Sequence, residues 1–250
     1  MAVVFSLLGL GGGVLYTPLQ VWLGIDFHEA ATTSLFLIMV MSVSATLVYR
    51  KAARTDWPLA LVLETATTLG GFLGGLVSGR FSGSVLSGVF AALILLAAYF
   101  MLRPGTADTH CRGERSGPLQ WRRQLGWQVY CVNLALALPV SLAAGLASGL
   151  VGVGGGILKV PMMVLLFDIP MDIAVGSSAF MVGVTASGGF AGHVLAGHWD
   201  WRTSLILAGA VFLGAQIGSR ISLGIDKRKL KKGFGWFLVV IGIVMALRVL

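Results

Sequence analysis

Two glycine-rich segments of the same pattern lie in the two halves of the chain, and in each a proline follows five residues after the last glycine. Consecutive glycines interrupt a helix, since glycine loses the most backbone entropy on folding and permits positive φ. The N–H groups freed at such a break, with the positive dipole end of the helix that follows, favour an anion. The pattern predicts two anion-binding breaks, with tight helix packing or a plain turn as the alternative. The glycines are Gly11, Gly12 and Gly13 in the first segment and Gly154, Gly155 and Gly156 in the second.

One lysine, Lys159, lies among the apolar residues that follow the second glycine run, where the first half has Tyr16. A charge at the centre of a membrane costs at least ~2.5–3.5 kcal/mol on insertion scales, so such a residue normally has a partner. Lys159 is interpreted either as a counter-charge for an anionic ligand or as a side chain that reaches the membrane surface from a short hairpin. Glu64, in another apolar run, either carries a coupling proton or lies near the surface beside a basic loop.

Hydroxyl residues near the starts of two apolar segments complete the candidate site. Hydroxyls there can donate to oxyanion oxygens, but they also cap helices and join neighbouring helices. The predicted substrate-binding set therefore contains the two glycine runs, Lys159 and four hydroxyl residues. The four are Thr33, Ser34, Ser177 and Ser178.

The sequence contains no constellation typical of an enzyme: no Ser-His-Asp pattern, no His-Glu-x-x-His and no cluster of metal ligands. The glycine runs are not phosphate-binding loops, because no Gly-Lys-Ser/Thr follows them. We therefore expect no catalytic residue, no metal and no cofactor. Cys111 and Cys131 lie 20 residues apart, one in a polar segment and one in an apolar run, and we expect no disulfide between them.

The composition of the chain predicts that membrane helices position these residues. Of the 250 residues, 56% are hydrophobic and 11% are charged, and the mean hydropathy is +0.89. Soluble domains carry roughly 25% charged residues, so the composition argues against a soluble enzyme. Apolar runs long enough to cross a membrane recur along the chain, for example at 57–79, 126–150 and 201–223. The net charge of +8 comes mostly from loops between such runs, which is typical of membrane topology rather than nucleic-acid binding.

The two halves of the chain repeat each other. The glycine-rich segments align at an offset of 143 residues, and three later landmarks align at an offset of 144. Asp56 matches Asp200 in this alignment, and both are predicted helix N-caps. We therefore divide the chain into a first membrane repeat at 1–102, a polar linker at 103–125 and a second membrane repeat at 126–250.

The basic residues indicate how the repeats are oriented. If the chain reverses at each glycine run, fourteen of the 18 Lys and Arg residues lie on one side of the membrane and three on the other, with Lys159 inside it. Without the reversal the split is ten to seven, so the positive-inside rule favours reversal and a cytoplasmic linker. The predicted fold is an all-α polytopic integral membrane protein of two inverted repeats with glycine-broken helical hairpins. Such repeats around a midplane site are a transporter architecture.

The doubled Gly-x-Gly-Gly-Gly-x-x-x-x-Pro segment, each copy followed by a Thr-Ser-like pair and an Asp-Trp, resembles the sulfite exporter TauE/SafE family of bacterial membrane proteins. The resemblance covers almost the whole chain. It implies a transporter of small sulfur-containing anions, such as sulfite, sulfoacetate or other sulfonates. The family usually has more apolar residues before its first glycine segment than the twelve that precede Gly13 here.

Together with the predicted repeat architecture, the resemblance implies an alternating-access exporter of small sulfur-containing anions in the inner (plasma) membrane of a bacterium. Export is favoured because a dianion that leaves a cell at roughly −150 mV gains about 7 kcal/mol, whereas its import needs coupling. The expected partners are a small anionic substrate and the lipid bilayer but not nucleic acid, and homo-oligomerisation stays open. Two alternatives are kept: a passive anion channel and a membrane assembly protein that transports nothing.

Overall fold

The computed structural model of the chain describes residues 2–8, 16, 20, 23–25, 27–78, 95, 98, 99, 102, 119–151, 156–195 and 199–247. Helices account for most of these residues, which confirms the prediction of a mainly helical protein. The helices are α1 (Ala2–Leu7), α2 (Phe27–Lys51), α3 (Trp57–Ser78), α4 (Leu134–Val151), α5 (Gly156–Leu165), α6 (Met171–Leu195), α7 (Trp201–Gly224) and α8 (Lys227–Leu247).

An antiparallel hairpin departs from the all-α prediction, which is wrong at this place. Strand β1 (Gln120–Leu125) pairs with strand β2 (Gln128–Asn133). Gly126 in the two-residue turn has a φ of +59°, which glycine adopts without a steric penalty and which such turns require. The sequence predicts one apolar helical run at 126–150, but helix begins only at Leu134. Burial alternates along β2 with the period of a strand, which the apolar composition of the run concealed.

The hairpin spans the predicted boundary between the linker at 103–125 and the second repeat at 126–250. Cys131 in β2 is disulfide-bonded, so the expectation of no disulfide is wrong. The bonding partner of Cys131 lies outside the described residues.

Loops rich in basic residues meet at one end of the helix bundle. Arg54 forms an ion pair with Asp172, and Gln128 Nε2 donates to Asp172 Oδ2 at 2.9 Å. Ile225 lies in the same small cleft as Arg54 and Asp172, which adds the loop between α7 and α8 to this end. We call this end the basic face; it is formed by residues 50–56, 119–133, 166–172 and 225–232.

Two pairs of helices run in opposite directions relative to the basic face. Helix α2 ends at this face and α6 begins there, whereas α3 begins at it and α7 ends there. Helix α4 leaves the basic face after the hairpin, and α5 returns to it at the loop 166–170. Helix α5 has 10 residues. Since that is about 15 Å of helix, it covers half of a hydrocarbon layer of about 30 Å.

The halves pack against each other in a reciprocal pattern. Helix α3 packs mainly against α4 and α7 packs mainly against α1 and α2, while α2 also packs against α6. At two of these helix contacts, a glycine allows the backbones to come close together. A Cβ at Gly70 would lie 2.0 Å from Leu142 O, and a Cβ at Gly218 would lie 2.1 Å from Val3 O. Small residues therefore let the backbones of paired helices touch, as is common between membrane helices.

Large apolar side chains cover the outside of the bundle. Ile206 of α7 is 77% exposed, and Leu213 of α7 and Phe72 of α3 are each 64% exposed. A soluble monomer rarely presents such continuous apolar surface to water, so these faces are suited to lipid. Among the residues that the structure describes, two helical segments are long and apolar enough to cross a membrane, and two more are apolar but shorter. The long ones are Thr32–Lys51 and Trp201–Gly224, and the short ones are Trp57–Leu73 and Leu134–Ala147.

Candidate functional site

Lys159 lies in the short helix α5, and its side chain is completely buried. Its neighbours Val160 and Met163 are also fully buried. Helix α5 packs on α6 and α4, so the lysine points into the interior of the bundle rather than toward its outer surface. An ammonium group that loses its hydration in this way needs protein partners to remain charged.

The Lys159 ammonium has two partners from two other helices. Its Nζ lies 2.6 Å from Glu64 Oε2 of α3 and 2.7 Å from Thr185 Oγ1 of α6. Thr185 Oγ1 donates to Glu64 Oε1, and Thr68 Oγ1 donates to the same oxygen at 3.1 Å. Within the part of the chain that the structure describes, no residue accepts the third N–H of Lys159. We call these four residues, Glu64, Thr68, Lys159 and Thr185, the ion-pair cluster.

The ion-pair cluster is neutral as a whole and joins the two halves of the chain. Glu64 belongs to α3 of the first half, while Lys159 and Thr185 belong to α5 and α6 of the second. The Glu64 side chain is only 4% exposed. Removing one partner of a buried ion pair leaves an uncompensated charge, at a cost of about 3–5 kcal/mol. The cluster therefore depends on both charges being present or on another ion replacing one of them.

For each of these two charges the structure contradicts one of the alternatives that the sequence left open, and the other stays a prediction. A lysine that reaches the membrane surface is wrong, because Lys159 is fully buried. A Glu64 near the surface beside a basic loop is also wrong, because its partner is Lys159. The sequence did not predict Thr68 or Thr185 in this site. Thr185 lies 121 residues from Glu64 along the chain, and no local spacing could have joined them.

Two of the four predicted hydroxyl residues, Thr33 and Ser34, have hydrogen-bond partners inside the bundle away from Lys159. Thr33 Oγ1 lies 3.1 Å from Ser204 Oγ, where α2 meets α7. Ser34 Oγ accepts from Gln20 Nε2 at 2.9 Å. Ser178 is fully buried in α6. These hydroxyls lie inside the bundle, and their role in binding a substrate stays a prediction.

Ser177 belongs to a second polar cluster, at the basic face. Its Oγ accepts from Asp56 N at 3.0 Å, and Asp56 Oδ1 accepts from Leu59 N at 3.1 Å, which confirms Asp56 as the cap of α3. Arg123 and Tyr130 of the hairpin also donate to Asp56, with Tyr130 Oη 2.6 Å from Oδ2. Hydrogen bonding to Asp56 raises the pKa of Arg123, and burial followed by the Asp56 bond raises that of Tyr130. Both groups therefore keep the protons they donate, and the hairpin is fixed to α3.

Asp200 caps α7 in the corresponding position of the second half. Its Oδ1 accepts from Arg202 N at 3.0 Å and from Thr203 N at 3.4 Å. The hydrogen bond from the Thr203 side chain lowers the pKa of Asp200, so the cap stays ionised. The sequence prediction of paired N-caps is confirmed for both halves.

The glycine runs fall mainly outside the described residues. This applies to Gly11, Gly12, Gly13, Gly154 and Gly155. Gly156 is described and is the first residue of α5, three residues before Lys159. A short helix that starts at the end of the glycine run is what the sequence predicts for this segment.

Almost the whole length of the chain matches one known family. The family model described as "Sulfite exporter TauE/SafE" matches residues 1–245. The chain belongs to the sulfite exporter TauE/SafE family. The resemblance drawn from the doubled glycine segment is thereby confirmed.

Relatives of this TauE/SafE protein cover nearly all of it. "Probable membrane transporter protein YunE" of Bacillus subtilis (strain 168) is 26% identical over 248 residues, which are 96% of this chain and 91% of the relative. A "Probable membrane transporter protein" of Xylella fastidiosa (strain Temecula1 / ATCC 700964) is 28% identical over 97% of this chain and 90% of its own length. "Probable membrane transporter protein YfcA" of Escherichia coli (strain K12) is 24% identical over 96% and 82%. No solved structure matches the chain with statistical significance.

Membership makes this TauE/SafE protein a membrane protein of a transporter family. Its partners therefore include the membrane itself and a small-molecule substrate. The ion-pair cluster places a buried ion pair, Lys159 with Glu64, inside the helix bundle of this protein.

Proposed function

We propose that the protein exports small sulfur-containing anions, such as sulfite or organosulfonates, across the bacterial inner membrane by alternating access. The observation that carries this proposal is Lys159, a fully buried ammonium with one N–H unused by described residues, in a chain of the sulfite exporter family. An oxyanion is the ligand that best satisfies such a donor, because it supplies both charge and acceptor oxygens. Thr185 Oγ1 accepts from the same ammonium and so helps to hold it in place.

Around this charge we propose the larger site that the sequence predicts. Helix α5 begins at Gly156, so its N-terminal N–H groups point back toward the glycine run with the positive end of the helix dipole. The glycines Gly11, Gly12, Gly13, Gly154 and Gly155 would supply further N–H donors, and the pairs Thr33/Ser34 and Ser177/Ser178 further hydroxyls. The half-helix arrangement is typical of transporters that bind anionic groups at the membrane midplane.

We further propose that the halves are inverted repeats that move against each other. Two features support this. Corresponding helices leave the basic face in opposite directions, and the packing of α3 on α4 is mirrored by that of α7 on α1. An exchange of this kind is what a two-fold axis that relates the two halves would produce. The basic face, which includes part of the linker at 103–125, would then be cytoplasmic by the positive-inside rule.

The direction of transport rests on the membrane potential. A dianion leaving a cell at roughly −150 mV gains about 7 kcal/mol without any coupled ion. Two carboxylates that could carry a coupling proton, those of Glu64 and Asp56, are buried in the bundle. Export therefore follows from the charge of the substrate rather than from the lack of a proton carrier.

Transport by the purified protein in proteoliposomes tests the proposal. Labelled sulfite, sulfoacetate, thiosulfate and sulfate are supplied separately and in competition, with empty liposomes as the control. We expect saturable transport of at least one of them and accelerated uptake into vesicles preloaded with the unlabelled anion. Flux that does not saturate and shows no such counterflow identifies a passive channel. No flux of any of the four, from protein that is folded in the vesicles, contradicts the proposed function.

A further inference from the structure

We infer that Glu64 takes the place of the substrate anion when the carrier is empty. Its carboxylate then neutralises Lys159 and allows the empty carrier to reorient. The protein would then perform net transport and not only exchange of one anion for another. The inference rests on the proposed function, since it needs an anion that binds Lys159.

The two oxygens of Glu64 have different partners, and this makes the exchange of ligands feasible. Among the described residues, the Lys159 ammonium is the only hydrogen-bond partner of Oε2, at 2.6 Å. Oε1 accepts from the hydroxyls of Thr68 and Thr185. An anion that replaces Oε2 on Lys159 therefore leaves the hydrogen bonds to Oε1 in place. Glu64 can lose the ammonium without losing all of its polar contacts, which lowers the cost of displacing it.

A negative charge is needed beside Lys159 when no substrate is bound. An alternating-access carrier that exports must return its empty site across the membrane after each cycle. An unpaired ammonium in hydrocarbon is costly, whereas the Lys159–Glu64 pair is neutral. No other ionisable side chain contacts the pair within the described ranges; the remaining contacts come from the two threonine hydroxyls. Glu64 thus supplies the negative charge whenever the substrate does not.

The Lys159–Glu64 pair lies between the two halves that move against each other in the proposed cycle. Glu64 is on α3 of the first half and Lys159 on α5 of the second. The pair therefore joins the two moving parts, and it stays intact while the empty carrier reorients. In the loaded carrier the substrate takes the place of Glu64, and in the empty carrier Glu64 takes the place of the substrate.

Glu64→Gln separates net transport from exchange. Both are measured in proteoliposomes at pH 6, where an unpaired ammonium keeps its proton more readily than at neutral pH. Net efflux into anion-free buffer should fall by about tenfold or more, because the empty carrier then moves an uncompensated charge. Exchange against external unlabelled anion should stay within about twofold of the unchanged protein, because the loaded carrier is neutralised by its substrate.

The affinity for the anion is a second measurement, and it would not increase if Glu64 had only a structural role. While Glu64 occupies Lys159 the site is closed to the anion, and removing this competitor raises the apparent affinity. We expect the anion to bind Glu64→Gln about tenfold more tightly than the unchanged protein. Glu29→Gln, the same substitution at an exposed glutamate of α2, should change neither transport mode nor affinity.

Several outcomes overturn the inference. These are equal loss of both transport modes in folded Glu64→Gln, retention of both modes, or weaker anion binding by this variant. If Glu64→Gln does not fold, Glu64→Asp keeps the charge and should retain net efflux. The unchanged protein gives a test that needs no variant: exchange more than about tenfold faster than net efflux means that the empty carrier does not return, and Glu64 is then no substitute. Absence of all transport by the unchanged protein contradicts the proposed function instead.

Discussion

At the scale of single residues, the ion pair between Lys159 and Glu64 means that an anionic ligand does not meet a free positive charge. A lone cation in a membrane segment suggests an anionic ligand, but Glu64 already neutralises this one. The ligand must therefore compete with a carboxylate 2.6 Å away rather than enter an empty positive site. Such a site favours ligands with more charge or more acceptor oxygens than a single carboxylate.

Substitution of Lys159 should affect a divalent anion more than a monovalent one. The lost Coulomb energy scales with the charge of the substrate, so Lys159→Gln should weaken binding of a dianion more strongly. Lys159→Arg should preserve binding in part, since arginine keeps the charge but changes its shape. Dissociation constants for one monovalent and one divalent sulfur oxyanion provide the measurement.

The control for this prediction is Lys232→Gln, which removes an exposed lysine of α8 at the basic face. It should leave both constants unchanged. Small and equal changes for the two anions in Lys159→Gln would mean that the lysine is not a substrate ligand. The helix N-terminus at Gly156 would then be the principal anion site.

At the scale of helices, neighbouring glycines of α3 differ in what they permit. A Cβ at Gly70 would lie 2.0 Å from Leu142 O of α4, whereas a Cβ at Gly71 has Gly145 O at 3.7 Å as its nearest neighbour. Gly70→Ala should therefore force α3 and α4 apart and destabilise the protein by about 1–3 kcal/mol or more. Gly71→Ala should be neutral or slightly stabilising, because alanine is the better helix former.

Thermal unfolding in detergent, followed by loss of the monodisperse protein, measures both glycine variants. The two substitutions add the same methyl group at adjacent positions and so control for each other. Similar stability of the two variants would show that α3 and α4 do not approach as closely as described.

The β-hairpin depends on a hydrogen bond to a charged group. Tyr130 Oη donates to Asp56 Oδ2 at 2.6 Å, and the raised pKa of Tyr130 keeps its proton in place. Tyr130→Phe should lower stability by about 1.5–3 kcal/mol, the range for hydrogen bonds to ionised groups. Apparent melting temperature is the measurement, with Gln124→Ala on the exposed side of β1 as the neutral control. An unchanged melting temperature for Tyr130→Phe would show that the hydrogen bond from Tyr130 to Asp56 does not stabilise the protein.

At the scale of the whole molecule, orientation in the membrane is the property to be tested. The basic face carries the loop after α2 and the start of α8, so both should lie in the cytoplasm if the halves are inverted. Reporter fusions after Arg54 and after Lys232 should report the cytoplasm, and fusions after Gly83 and after Asp200 the exterior. Opposite results for the Arg54 and Lys232 fusions would contradict the inverted arrangement.

Cysteine labelling checks the same orientation without a fusion. Cys131 is in the hairpin of the basic face and is disulfide-bonded. After treatment with a membrane-impermeant reductant, a membrane-impermeant thiol reagent should therefore label Cys131 in inside-out vesicles but not in intact cells. Labelling in intact cells would place the basic face outside.

The sequence by itself determined the properties that depend on composition and on short-range pattern. The apolar runs predicted helices suited to a membrane, and Asp56 and Asp200 were predicted as caps from their place before two such runs. The doubled glycine segment was enough to identify the family. Each of these signals lies within a few residues or within one repeat, where the chain itself fixes the spacing.

Tertiary structure alone decided which polar groups meet. Lys159 and Glu64 are 95 residues apart, and their contact depends on the register of α3 against α5, which no local pattern encodes. The hairpin was missed because an apolar strand and an apolar membrane helix have similar composition over a few residues, and only its pairing partner distinguishes them. Burial then gives these contacts their importance: in a medium of low dielectric, a charge is tolerated only beside the group that compensates it.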